Sequence, residues 1–109
     1  MIMINISYNA KDQIMSCVFT GHLGADHSAE IIDAINIKTK EVKNADNPPD
    51  ALKIIFDLKK VEFIASSFIR ICISTFKDVG KGSFSIINTK PIIKKTFVIA
   101  GLSDDMNIQ

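Results

Sequence analysis

Two adjacent hydroxyls, Ser66 and Ser67, follow the apolar run Ile54-Ile55-Phe56-Asp57-Leu58 after a short connection and stand directly before Phe68, Ile69, Ile71 and Cys72. Serines that open a helix can do one of two things. As a cap, the side-chain oxygen accepts a hydrogen bond from a backbone N–H in the first turn, and no reaction is needed. As a phosphate acceptor, the hydroxyl sits beside unpaired N–H groups and the positive end of the helix dipole, where an added charge of roughly −2 can be held and can change the surface a partner meets. The residues alone leave both readings open. Arg70, the one charge in this apolar run, can meet an acidic partner or extend into water.

Other chemistries find less support. Ser67, His22 and Asp26 can be written as a hydrolase triad, but there is no GxSxG elbow and no identifiable oxyanion site, so no enzymatic activity is expected. His22, His27 and Asp26 lack a recognised metal-ligand spacing, and Asp26-His27-Ser28 reads as a turn and helix cap. Neither GxxxxGK[ST] nor GxGxxG occurs, so no cofactor is implied, and Gly80-Lys81-Gly82 reads as a helix stop. Cys17 and Cys72 have no CxxC spacing and are expected to be buried thiols in a reducing compartment. Lys and Arg total 13 against 12 for Asp and Glu, which names neither nucleic acid nor an anionic membrane as partner. Lys90, Lys94 and Lys95 read as a solvated face. With no signal-like leader and no apolar stretch near the ~20 residues that span a bilayer, the sequence predicts a soluble cytoplasmic protein.

The elements that position the serines follow from periodicity. At 109 residues and 47% hydrophobic content, one domain over residues 1–109 is expected. Ile2, Ile4 and Ile6 alternate as an edge strand; Asn9–Asp12 has turn character; Gln13–Thr20 reads as a second strand ending at Gly21, completing a hairpin. Ile31, Ile32, Ile35 and Val42 predict a helix from Ser28 to Lys43, capped by Asp26, His27 or Ser28. After a breaker-rich loop, Leu52–Leu58 is a central strand. Ser66 or Ser67 then caps a helix that Gly80 and Gly82 stop, Ser83–Asn88 is a fourth strand, and Pro91 opens a last helix that ends near Gly101. Strands alternating with helices imply right-handed crossovers and an α/β fold, with a mixed, mainly parallel sheet of about four to five strands and three to four helices. The Gly21–Ser28 segment then lies at the same end of the sheet as Ser66 and Ser67, where open α/β sheets bind their ligands.

This order and the central stretch resemble the STAS domain family, which includes bacterial anti-sigma factor antagonists. The resemblance spans nearly the whole chain and rests on Ile54–Leu58 followed by Val61-Glu62-Phe63-Ile64-Ala65-Ser66-Ser67, similar to the family's apolar strand and Asp-Ser-Ser-Gly switch. Gly21-His22-Leu23, Asn88 with Pro91, and Ala100-Gly101-Leu102 add to it. The chain departs at Ala65, where the family has aspartate, and at Phe68, where it has glycine. The resemblance implies a protein interaction switch without catalysis, in which Ser67 accepts phosphate from an anti-sigma factor with serine kinase activity and a phosphatase removes it. The implied partner surface is Ser66, Ser67, Phe68, Arg70 and Ile71, with Gly24 or Asp26 supplying the loop position that the family often fills with an acid. A homodimer is compatible with this reading. The alternative is a STAS-like domain with no working switch, serving as a scaffold or a small-ligand binding module.

Overall fold

The computed structural model describes residues 3–102 and 106–109. Met3–Asn9 (β1) and Ile14–Leu23 (β2) form the expected antiparallel hairpin, pairing Ile4 with Phe19, Ile6 with Cys17 and Tyr8 with Met15. Its turn is closed by the Asn9 side-chain oxygen, which accepts from the backbone N–H groups of Lys11 and Asp12 at 3.0 and 3.3 Å, the local bond that makes asparagine a turn former. Ile2, the first residue of the predicted edge strand, lies outside the described residues.

Helix α1 (Ser28–Lys43), strand β3 (Lys53–Ile64), helix α2 (Ser66–Val79), strand β4 (Phe84–Ile87), helix α3 (Pro91–Ile99) and strand β5 (Asn107–Ile108) follow. The five strands lie in the order β1-β2-β3-β4-β5, with β2 to β5 parallel. Since neighbouring parallel strands are also consecutive in the chain, right-handed crossovers send each helix to the same face of the sheet. Gly80, at a φ of +88°, ends α2 in a conformation that other residues rarely adopt, and Pro91 takes the first turn of α3.

Two elements differ from the sequence-based expectation. Strand β2 continues through Gly21 to Leu23, and β3 continues past Leu58 to Ile64. The pairing shifts between Val18 and Thr20 and again between Gly21 and His22, so β3 spends extra residues against β2. Bulges of this kind break the period-two alternation that reveals a strand. Gly21, at a φ of +100°, is therefore the hinge of an irregular strand and not its end. Strand β5 falls within the expected four to five strands but no residue run marks its place, since two residues are too few to show a period.

Burial explains the single-layer arrangement. Met15, Cys17 and Phe19 of β2, Ile54, Phe56 and Leu58 of β3, and Phe84 and Ile86 of β4 point to one face and are buried, together with Ile31 and Ile35 of α1, Phe68 and Cys72 of α2 and Phe97 of α3. Residues at the alternate positions, including Ser16, Val18, Ile55, Asp57, Ser85 and Ile87, are only half-buried or exposed. At the middle of the covered face, the Phe19 and Phe68 rings meet edge to face with centroids 5.2 Å apart. Phe56 lies 5.0 Å from both Phe19 and Phe84 in the same manner, a geometry the ring quadrupole favours.

Two predictions follow from this core. Phe68→Ala should lower unfolding free energy by about 3–5 kcal/mol, and Phe68→Leu by less, because the truncated ring leaves a cavity that the neighbouring rings cannot close; denaturant unfolding measures both. Burial pushes the Cys17 thiol up to about 12 and the Cys72 thiol well above its ordinary range. At pH 8 both groups stay protonated, so neither should react with a thiol reagent in the native protein, and both should react once it is unfolded.

Candidate functional site

The serine pair owes its position to two parallel strands ending together. Leu23 at the end of β2 is in register with Ile64 at the end of β3, and both strands turn directly into helices. The Ala65 N–H donates to the Leu23 carbonyl at 2.9 Å, tying the two exits to each other. The first turns of α1 and α2 consequently lie side by side, although nearly forty residues separate them in the chain. There the Ser28 hydroxyl donates to the Ser67 hydroxyl at 2.7 Å in a part-buried contact.

Neither serine caps α2. Ala65 occupies the cap position in an extended conformation (φ −87°, ψ 164°) and, being alanine, offers no side-chain acceptor. Its carbonyl accepts from the N–H groups of Phe68 and Ile69 at 3.0 and 3.3 Å, while Ser66 and Ser67 lie inside the first turn, where backbone N–H groups have no intrahelical acceptor. Capping also fails at α1. Ala25–His27 form a single 3-10 turn that runs straight into the helix, and His27 at the cap position makes no side-chain bond. Ser28 is directed across to Ser67 instead.

The loop before α1 has its own geometry. Asp26 is largely exposed, with a carboxylate oxygen 3.6 Å from His27 Nε2. A Cβ on Gly24 would lie 2.9 Å from the Asp26 carboxylate, a contact that this exposed side chain could relieve by turning away. His27 Nδ1 is buried with no hydrogen-bond partner among the described residues. The side chain that reaches Ser67 from this segment is thus Ser28, which sequence reasoning treated only as a cap; a contact across so much intervening chain leaves no local signal.

Two residues expected on a partner surface are placed otherwise. Phe68 is 1% exposed and packs into the aromatic cluster, so it presents nothing to a partner. The reason is periodicity: Phe68, Ile71, Cys72 and Thr75 are the buried residues of α2, at the i, i+3, i+4, i+7 spacing of one helix face. Ile71 belongs to the same face and is also buried. Ser66 and Arg70 are exposed and Ser67 is half-buried, and Arg70 makes no ion pair among the described residues.

Behind the two serines, a groove of about 390 Å³ runs between α1 and α2. Ser28, Ser67 and Arg70 stand at one end of it and Thr39 and Asp78 at the other, with Ile32, Ile35, Ile54 and Ile71 supplying apolar lining between them. At the same edge of the sheet, Lys90 donates to Glu62, and this contact holds the Glu62 carboxyl below its ordinary range. Asn88, at a φ of +58°, donates to Asp57 at 3.2 Å, and the same carboxylate oxygen accepts from the Lys59 N–H at 3.0 Å. The Asn88 and Lys90 bonds tie the segment between β4 and α3 to β3. No group of three or more potential metal ligands comes together among the described residues, and none of their helices is long and apolar enough to cross a membrane.

Comparison with known proteins agrees with the geometry. The fold is similar to that of an anti-sigma factor antagonist from Mycobacterium paratuberculosis, with a TM-score of 0.79 at 19% identity over 99% of this chain and 85% of that one. It is also similar to the anti-sigma factor antagonist SpoIIAA in its unphosphorylated form, with a TM-score of 0.68 at 13% identity over 98% of this chain and 87% of that one. An uncharacterized protein from Shewanella loihica with a SpoIIAA-like fold gives a TM-score of 0.62 at 10% identity, over 99% of this chain and 83% of that one. No curated protein matches the sequence significantly. At these identities the solved structures establish the fold alone. The family model for the STAS domain, however, matches residues 5–109, nearly the full length, and the chain therefore belongs to the STAS domain family.

Proposed function

We propose that the chain is a cytoplasmic protein interaction switch of the anti-sigma factor antagonist kind. Its surface of Ser66, Ser67 and Arg70, with the loop from Gly24 to Asp26, binds an anti-sigma factor that has serine kinase activity. Phosphate on Ser67 weakens that complex, and a phosphatase restores it. The domain itself performs no catalysis.

The observation that carries this reading is the placement of Ser67 in an uncapped first turn, bonded only through its hydroxyl to Ser28. A capping serine would already have its oxygen committed to a backbone N–H. Here the first-turn N–H groups are left for an incoming anion, and the helix dipole favours negative charge at this end. Arg70, one turn further along α2 and without an ion pair among the described residues, offers the charge-assisted bonds that guanidinium makes to phosphate. In the unmodified chain the Ser67 hydroxyl is held by the Ser28 hydroxyl, and its proton must pass to a base when phosphate is added. Ala65 supplies no such base, and in this reading the kinase brings it.

Burial of Phe68 removes one objection to the switch. A large residue in place of the family's glycine would obstruct a close partner if it stood on the surface, but the ring lies in the core. The contact surface is correspondingly polar and small, which suits a reversible complex in which one added charge decides between bound and free.

Ser67→Glu should weaken partner binding by tenfold or more, about 1.4 kcal/mol, whereas Ser67→Ala should bind the partner and take up no phosphate. The measurement is retention of proteins from native lysate on immobilised wild type and both variants, with phosphate mapped by mass spectrometry after incubation with ATP. Retention of a serine kinase by wild type and Ser67→Ala but not by Ser67→Glu supports the switch. Identical retention by all three, with no phosphate on Ser67, overturns it in favour of a scaffold. Ser28→Ala should cost about 1 kcal/mol of stability through the lost hydroxyl bond, read by thermal unfolding, while leaving the partner's preference for wild type over Ser67→Glu in place.

A further inference from the structure

The groove between α1 and α2 extends well beyond what a phosphoserine needs. From Ser28 to Thr39 on one side and from Ser67 to Asp78 on the other, each helix contributes a stretch of roughly 16 Å at 1.5 Å per residue. Its volume of about 390 Å³ lies within the range of sites that enclose small molecules.

The charge along this groove is polarised. Both helices start at the Ser28 and Ser67 end and neither has a side-chain cap; the 3-10 turn takes the Ser28 N–H to the Ala25 carbonyl, so the unsatisfied first-turn N–H groups are mainly those of α2. Arg70 adds a full positive charge on that rim, and it is the groove's one cationic side chain. Asp78 is its one anionic side chain, at the opposite end. The lining between them is mainly isoleucine, with Asn36, Ser74 and Thr75 as its uncharged polar members, and Ile32 is 42% exposed despite facing the groove. An anion is therefore attracted to one end, repelled from the other, and separated from both helices' polar outer faces by hydrocarbon.

We propose that this groove binds a small amphiphile with a carboxylate head and an alkyl tail, of the medium-chain fatty acid class. The carboxylate accepts from Arg70 and from the Ser28 and Ser67 hydroxyls, and the tail lies along Ile32, Ile35 and Ile71. Burial of the tail supplies most of the affinity, because apolar area removed from water is the dominant favourable term in such sites. The head sets direction. A nucleotide or sugar phosphate would satisfy the charged end but find only Asn36, Ser74 and Thr75 as uncharged polar partners along a groove otherwise lined by isoleucine. This inference does not rest on the phosphorylation switch, since neither a kinase nor a protein partner enters it.

The test is an amide NMR titration of the full chain with decanoate below its micelle concentration, with decanol and decyltrimethylammonium as probes of the head group. Saturable shifts confined to groove-facing residues of α1 and α2 are expected, with decanoate tightest and the cation without effect on these amides. Arg70→Gln should weaken decanoate by about tenfold, the ordinary worth of a charge-assisted hydrogen bond, and leave decanol unchanged. Ile32→Glu, which sets a carboxylate in the path of the tail, should abolish both. Arg70 and Ile32 are exposed, so both variants should fold, and their thermal unfolding verifies it. The proposal is overturned by the absence of saturable shifts, by equal affinity for all three head groups, by shifts on the open face of the sheet or on α3, or by an Arg70→Gln variant that binds decanoate as wild type does.

Discussion

The edge-to-face contact between Phe68 and Phe19 carries more of this structure than its size suggests. Phe19 sits on β2 and Phe56 on β3, so the ring of Phe68 is seated over the junction of the two strands whose ends generate the site. Because Phe68 is in the first turn of α2, packing it sets the height and rotation of that turn. Ser67, its neighbour, is thereby turned toward α1, and Ser66 and Arg70 toward water. A side chain at the position of a small family residue is in this chain the anchor of the helix start. Bulk here stabilises the geometry that the surface hydroxyls require.

The site itself is a product of strand parallelism. Antiparallel neighbours would send consecutive exits to opposite edges of the sheet; parallel β2 and β3 bring two helix beginnings to one edge, where their dipoles reinforce each other. Ordinary side-chain caps would partly quench that field. Both helices lack one, with alanine at the cap position of α2 and a histidine that makes no capping bond at that of α1, and at α2, where no preceding turn takes up the first N–H groups, the field is left available to a group that arrives from outside. The Ser28 to Ser67 bond then serves as the resting partner for hydroxyls that would otherwise satisfy the backbone.

Much of the fold is legible in the residues. The helix from Ser28 to Lys43 has the predicted ends, the opening hairpin follows alternation and an asparagine turn, and Gly80 and Pro91 punctuate as their conformational limits demand. What alternation conceals is the length of β2 and β3, because bulges near Leu58 to Glu62 interrupt the period while pairing continues. The inward direction of Phe68 was available from helical spacing with Ile71, Cys72 and Thr75, and that spacing is the better guide than position within a motif. The role of Ser28 was not available. Its partner lies beyond an entire helix and strand, and only the assembled sheet brings the two hydroxyls together.

Sheet order has a kinetic consequence. Strands lie in the order in which they occur in the chain, so every parallel pairing closes a loop holding a single helix and none must bypass a strand yet to be placed. For a sheet that needs crossovers, this is the arrangement with the shortest-range contacts, and loop-closure entropy and topological search are correspondingly small. The paired serines and the elements that carry them, from β2 through α2, form one uninterrupted segment. The contacts that bring the two first turns together, Ala65 to Leu23 and Ser28 to Ser67, lie within that segment alone and need nothing from β4, α3 or β5.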